Sequence, residues 1–286
     1  MPSAVQAGST NTAATPRSPN SAAATSTWAA YRSAHPSCSR RYAAQVDVAA
    51  AELGDWGVAA MFVDPACTAE GILVPPPGYL REVDRRVRGL GGLLIADEVQ
   101  AGHGRSGSHL WSFHQSGIKP DIVVMGKPMG NGFPVAALVT RSELLEAVPE
   151  ETELFSTYGG NPVACAAALA VLAVIEDEGL IQNAARVGSY LQAGLVALQQ
   201  RHPFIGDVRG TGLLLGVELV EDPQSRRPAP ARAREVTEAM RDHGILLGTT
   251  GPAGNVLKIR PPLVVTHEQA DLLLNALGEV LAVTRG

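Results

Sequence analysis

The chain has 286 residues, of which 45% are hydrophobic and 18% charged, and a net charge of −5. That balance supports a substantial core in one large or two moderate domains, and gives no electrostatic reason for nucleic acid or an anionic membrane as partner. The longest apolar run, Val163–Ile175, is too short to span a bilayer. Cys38, Cys67 and Cys165 form neither a disulfide framework nor a zinc pattern, so no metal is expected and a reducing, cytoplasmic setting is.

In chain order, residues 1–27 read as a low-complexity leader rich in Ala, Ser and Thr, unable to pack a core. No acid precedes Asp47, so the same stretch also reads as an organellar transit peptide. A helix is expected from about Tyr42 to Leu53, then a buried strand at Ala59–Asp64, a helix at Tyr79–Leu90 closed by Gly91 and Gly92, and a buried strand at Leu93–Ala96. Asp121–Met125 and Ala136–Thr140 are further strands, and the Ala-rich Asn161–Asp177 is a helix. Strands that are nearly continuous apolar runs, alternating with helices, indicate an α/β domain over residues 28–179. Its sheet is expected to be mainly parallel and covered by helices on both faces. After Gly179 come helices at Leu180–Gln200, Ala231–His243 and Glu268–Leu281. Strands are expected at Gly206–Arg209, Leu213–Leu219, Ile245–Leu247 and Val256–Arg260, so residues 180–286 form a smaller α+β domain.

Three segments carry chemistry. LLIADEVQ (93–100) runs an apolar strand into Asp97 and Glu98. A carboxylate there is either a solvated acid at a strand end or the partner of a cationic ligand atom, since burying it unpaired is costly. DIVVMGKPMGNG (121–132) places Lys127 just beyond a strand, among glycines that permit close approach of a ligand. Pro128 opposes a helical conformation at Lys127. Only Lys119, Lys127 and Lys258 are lysines among 23 basic residues, the other 20 being Arg. Arg cannot supply a free amine, so a retained lysine among apolar neighbours suits imine chemistry; the alternative is a surface lysine in a loop. STYGGNP (156–162) sets Thr157 before a Gly-Gly turn and a helix start, a weak phosphate-binding signal. His103, His109 and His114 read as polar loop or helix residues without a catalytic role.

Together LIADEVQAGHGRSG (94–107), PDIVVMGKPMGNGFPVAALVT (120–140), STYGGNPVACAAALAV (156–171), VRGTGLLLGVEL (208–219) and KIRPPLVVT (258–266) resemble the class-III aminotransferases, pyridoxal-phosphate enzymes of fold type I. The resemblance extends over roughly residues 30–286. It implies pyridoxal 5′-phosphate as cofactor, held by Lys127 as an internal aldimine. It further implies that Asp97 pairs with the protonated pyridine nitrogen, that Val99 packs on the ring face and that Gln100 hydrogen-bonds near the phenolic oxygen. Lys127, once freed, would move the proton between the substrate carbon and the cofactor. Thr157 would bind the phosphate of a neighbouring subunit's cofactor, implying a homodimer. Lys258 lies where relatives often carry an Arg that contacts a substrate carboxylate; structural pairing of Lys258 and Arg260 within the small domain is the other reading. Arg105 matches a family feature that is structural.

The implied reaction transfers an amino group from an amine or amino acid to a 2-oxo acid or aldehyde. Relatives sharing the DEVQ and GK segments are lyases on phosphorylated amino alcohols, and an inactive remnant is a third reading. Family members have a further N-terminal portion with a Gly/Ser-rich phosphate turn that finds no counterpart before Ala59, so the chain reads as an N-terminally truncated member. An incomplete sheet with exposed apolar surface, and low activity of the isolated chain, are therefore expected. Asp64 in FVDPACTAEG (62–71) stands where many members have a longer acid.

Overall fold

A computed structural model describes residues 36–149, 152 and 155–284. The expectation of a leader over residues 1–27 lies outside them. The first sheet has strands β1 (Ala60–Val63), β2 (Leu93–Asp97), β3 (Ile122–Met125) and β4 (Ala137–Thr140), in the order β1-β2-β3-β4. The first three are parallel and β4 runs antiparallel to β3, so the sheet is mainly parallel, as expected.

Helix α1 (Pro36–Ala43) and helix α2 (Gln45–Leu53) replace the single helix expected near residues 42–53. Helix α3 (Tyr79–Gly89) connects β1 to β2. Its buried Leu80, Val83 and Val87 fall at helical spacing, and pack with Val63, Leu94, Ala96, Phe113 and Ile118. Gly91, at φ 78, lets the chain reverse directly into β2.

Coverage on both faces holds only for β2, whose Leu94, Ile95 and Ala96 are all buried. The reading of β1 as a buried strand is corrected: Phe62 is 66% exposed. On β4, Leu138 and Val139 are exposed although they point to opposite faces of the sheet. The edges of the sheet thus have no helical cover among the described residues. Helix α4 (Ser142–Glu146) and helix α5 (Pro162–Asp177) follow; α5 packs on the turn at 127–130 but leaves Val163 and Leu169 exposed.

The C-terminal region is a layer of helices α6 (Leu180–Arg201), α7 (Pro230–Asp242) and α8 (His267–Val283) on a second sheet. That sheet is antiparallel, with β5 (Ile205–Thr211), β6 (Leu214–Leu219), β7 (Gly248–Thr250) and β8 (Val256–Ile259) in the order β5-β6-β8-β7. Leu180, Ala184, Val187, Leu191, Leu195 and Leu198 make the buried stripe of α6. Gly188 lets α6 lie on the turn before β6: a Cβ there would sit 2.2 Å from the Gly212 carbonyl oxygen. Helix α8 starts with a capping box between Thr266 and Gln269.

One expected strand is absent. Ile245–Leu247 is not paired into a sheet: Gly244 (φ 75) turns the chain and the Ile245 amide donates to Met240 O, closing α7. The pairing strand begins at Gly248 instead, and Leu246 is left 83% exposed.

Candidate active site

The parallel strands β1, β2 and β3 end side by side, since Val63 pairs with Ala96 and Asp97 with Val124. Their carboxyl ends therefore carry Asp64, Asp97 and, beyond Gly126, Lys127 in neighbouring positions. This is the place where open α/β sheets bind ligands.

The two acids of the Asp-Glu pair separate. Glu98 is fully buried and turns away, accepting hydrogen bonds from the Ser112 and Phe113 amides at 3.0 and 2.7 Å and from the Ser112 hydroxyl. Burial pushes its carboxyl above the usual range against those hydrogen bonds. It anchors the short turn Ser112–Ser116. Asp97 is half-buried; its carboxylate accepts only the Val99 amide, at 3.0 Å, and no cation pairs with it among the described residues. Val99 itself is half-buried beside it.

Lys127 opens a short 3-10 turn with φ 40, so Pro128 indeed keeps it out of the right-handed helical region. A left-handed, non-glycine conformation costs energy, and three glycines, Gly126, Gly130 and Gly132, surround it. The amine is exposed, with no hydrogen bond or ion pair among the described residues.

Gln100 and Lys258 meet directly. Lys258 Nζ donates to Gln100 Oε1 at 2.9 Å and to Thr68 O at 3.1 Å, and Arg260 donates to the same Gln100 oxygen at 2.9 Å. The Gln100 amide nitrogen donates to the Thr68 hydroxyl at 2.9 Å, and that hydroxyl donates to Asp64. Asp64 also accepts the Ala66 and Thr68 amides at 3.0 and 2.7 Å. Structural pairing of Lys258 with Arg260 inside the small domain is thus replaced by a chain of contacts that joins β8 to the ends of β1 and β2. Burial, then Arg260 and Lys127, pull the Lys258 amine below its usual range, outweighing Asp64 and Glu70, so Lys127 and Lys258 share one electrostatic neighbourhood.

Thr157 is not brought to these residues. It is exposed and hydrogen-bonds to none of them, in a stretch where Phe155 and Tyr158 are also exposed. The helix behind it is held by Asn161, which caps the Ala164 amide.

Sequence reasoning passed over Thr68, whose role depends on residues far along the chain, and named Arg260 only together with Lys258. His103 lies in a turn but is buried, at φ 58, edge-on to Trp111 with ring centroids 4.8 Å apart. Its Nδ1 has no partner, and burial pushes the imidazole below its usual range. Arg105 is structural, its guanidinium donating to Leu213 O and Pro261 O at 3.1 and 2.8 Å. Burial and Arg260 lower it to about 10.

No group of metal-ligating side chains occurs among the described residues, and no described helix is long and apolar enough to cross a membrane. A concave pocket of about 340 Å³ lies between the starts of α6 and α8, and neither Lys127 nor Asp97 lines it.

Comparisons with known proteins show what the chain is similar to. Ethanolamine-phosphate phospho-lyase homolog 1 of Caenorhabditis elegans is 45% identical over 230 residues, 79% of this chain and 49% of that protein. An alanine–glyoxylate aminotransferase 2-like protein of Drosophila melanogaster is 46% identical over 227 residues, 79% of this chain and 46% of that one. A phospholyase from Arthrobacter, solved in complex with phosphoethanolamine, superposes with a TM-score of 0.83 at 43% identity, over 87% of this chain and 60% of its own. An amine transaminase from an uncultivated Pseudomonas species gives 0.80 at 34% identity, over 87% and 57%. The chain spans about half the length of the curated relatives it matches. The family model for aminotransferase class III matches residues 6–281, nearly the whole sequence, and the strand-end acid and lysine lie within it: the chain belongs to the class-III aminotransferase family.

Proposed function

We propose that this chain carries the catalytic lysine of a pyridoxal-phosphate enzyme that moves an amino group from an amine or amino acid to a 2-oxo acid or aldehyde. The observation that carries the reading is the pairing of Asp97 and Lys127 at the ends of adjacent parallel strands, a carboxylate and an amine with no ionic partner among the described residues. That donor set fits pyridoxal phosphate, whose aldehyde needs an amine and whose ring nitrogen needs a carboxylate. When bound, the group supplies an electron-withdrawing ring that stabilises negative charge at the substrate carbon.

In this reading Asp97 holds a proton at the ring nitrogen, and the Val99 amide fixes the carboxylate that does so. Val99 covers a ring face. Gln100 has its carbonyl turned to Lys258 and Arg260, which leaves one amide hydrogen to donate toward the ring oxygen. Lys127 would hold the group through its aldehyde and, once released by the incoming substrate amine, would serve as the base that moves a proton on and off the substrate carbon. Lys258 receives an anionic group of the substrate. Thr157 serves the phosphate of a second copy, and the exposed Phe155, Tyr158, Val163 and Leu169 beside it support a homodimer. Cys67 and Cys165 are free, in keeping with a reducing compartment, the cytoplasm first and an organelle as the alternative.

The test is spectroscopic. Pyridoxal phosphate added to the protein gives a visible absorbance band that Lys127→Ala removes and Asp97→Asn weakens; no band with the parent protein overturns the reading. A second reading, release of phosphate from a phosphorylated amino alcohol, is supported by the likeness to the two phospho-lyases. Product analysis separates the two, an amino acid plus a keto acid or aldehyde against free phosphate.

A further inference from the structure

Gln100 stands between two kinds of neighbour that cannot exchange roles. On one side Lys258 and Arg260 donate to its Oε1, both at 2.9 Å, and neither cation can accept a hydrogen bond. On the other side its Nε2 donates to the Thr68 hydroxyl at 2.9 Å. The torsion that turns a glutamine amide end over end has little preference of its own, so the partners decide which end faces where.

Thr68 is fully buried, and its single hydroxyl proton goes to Asp64. Asp64 accepts that proton together with the Ala66 and Thr68 amides, at 3.0 and 2.7 Å, and all three contacts are with donors, as a carboxylate requires. With its proton spent there, the Thr68 oxygen is left as an acceptor, and only the nitrogen end of Gln100 satisfies it. The row therefore has one direction, from two cations through Gln100 and Thr68 to a carboxylate.

The loop that carries Thr68 is held from the second sheet. Thr250 Oγ1 and the Gly251 amide donate to Ala69 O at 2.8 and 3.1 Å, and Arg209 Nε donates to Gly71 O at 2.9 Å. Ile72, at φ 57, takes a conformation that is costly for a β-branched residue and persists only where the surroundings enforce it. It is fully buried, in a cluster with Ala66, Ala101 and Leu214. The hydroxyl thus has a fixed place relative to Gln100.

We propose that Thr68 is a positioning residue for the cofactor site: backed by Asp64, its hydroxyl fixes the Gln100 amide so that an N–H, and not the carbonyl, faces the ring oxygen of pyridoxal phosphate. A donor there stabilises negative charge on that oxygen, whereas a carbonyl would oppose it. The inference rests on the proposed function in placing the ring oxygen beside Gln100, but the link from Thr68 to Gln100 is measured without cofactor.

Two measurements test it. In cofactor-free protein isotope-labelled at its glutamine side chains, NMR follows exchange of the Gln100 amide hydrogens with water, the Gln100 signals being those that Gln100→Glu removes. Thr68→Val keeps the shape of the side chain without the hydroxyl, and is expected to speed that exchange at least about fivefold, as loss of one hydrogen bond requires. Thr68→Ser keeps the hydroxyl and stays within about twofold of the parent. In absorbance titrations with pyridoxal phosphate, Thr68→Val is expected to raise the dissociation constant at least about fivefold, and Thr68→Ser to restore it. Thr68→Ala removes the hydroxyl without a methyl in its place and gives the same reading should the valine variant fail to fold. Exchange that is equal with and without the hydroxyl overturns the proposal, as does a cofactor band whose affinity ignores the hydroxyl. Hydroxyl-dependent exchange with no cofactor band in the parent keeps the link from Thr68 to Gln100 and removes the proposed function.

Discussion

The two halves of the molecule solve the problem of burial differently. In the C-terminal region both the sheet and the helices α6, α7 and α8 contribute to one continuous core, with Leu191, Leu215, Val217, Met240, Leu257 and Ile259 fully buried. In the N-terminal region a four-stranded sheet has a full apolar interior only around β2, while Phe62, Leu138 and Val139 on its edge strands meet solvent. The proposed chemistry sits on the less covered half. Asp97 and Lys127 lie at its strand ends, and the compact half lends Lys258 and Arg260 across the boundary. A well-packed body thus serves as the fixed wall, and the reactive groups stand on a sheet whose apolar edges suit a further covering surface.

Mutations sharpen that contrast. The largest effect is expected from Gly188→Ala: the new methyl meets backbone of the Gly212 turn, which cannot move as a side-chain tip does, so the C-terminal region loses more than about 4 kcal/mol or fails to fold. Circular dichroism during thermal unfolding reads this directly. Leu215→Ala, in the middle of β6, is expected to cost about 2–5 kcal/mol by chemical denaturation. Phe62→Ser, on the exposed edge, is expected to change stability by under about 0.5 kcal/mol while reducing self-association in sedimentation velocity. A large loss of stability from Phe62→Ser would erase the distinction between the halves.

Acid separates them further. His103 is held neutral by burial, so its folded value lies below its unfolded one. The unfolded state then binds more protons as pH falls below about 6.5, and stability declines from there down to the folded value. His103→Phe is expected to flatten that decline between pH 7 and 5. Asp121 acts lower. Burial raises its carboxyl, but the Leu94 amide with Arg88 and Arg141 outweighs this and holds it below the usual range. Its contribution is present above the unfolded value near 3.9 and is lost as pH falls through the folded one. Asp121→Asn therefore lowers stability at pH 7 and has a smaller effect at pH 2, measured by denaturant unfolding.

Much of this architecture is legible locally. The apolar runs that end in Asp97 and in Gly126-Lys127 define both strand and strand end, and the spacing in α6 and α8 marks their buried faces. Local pattern fails where a distant partner decides. Ile245–Leu247 has strand-like residues, but the amide of Ile245 is taken by the preceding helix. Gln100 and Lys258 are separated by 158 positions, so neither residue's neighbours indicate that the two touch. Asp97 and Glu98 look alike in sequence; only the Ser112 turn, folded back over the strand end, separates the free acid from the anchored one.

The buried guanidinium of Arg105 gives the unusual basic composition a practical meaning. Its site pulls even an arginine down to about 10, and a lysine, whose ordinary value is lower, would stand closer to losing its charge there. With arginine there, the loop that carries it stays tied to the Leu213 and Pro261 carbonyls, which flank the neighbouring strands β6 and β8 of the second sheet. The joint thereby stays out of the proton movement proposed for Lys127.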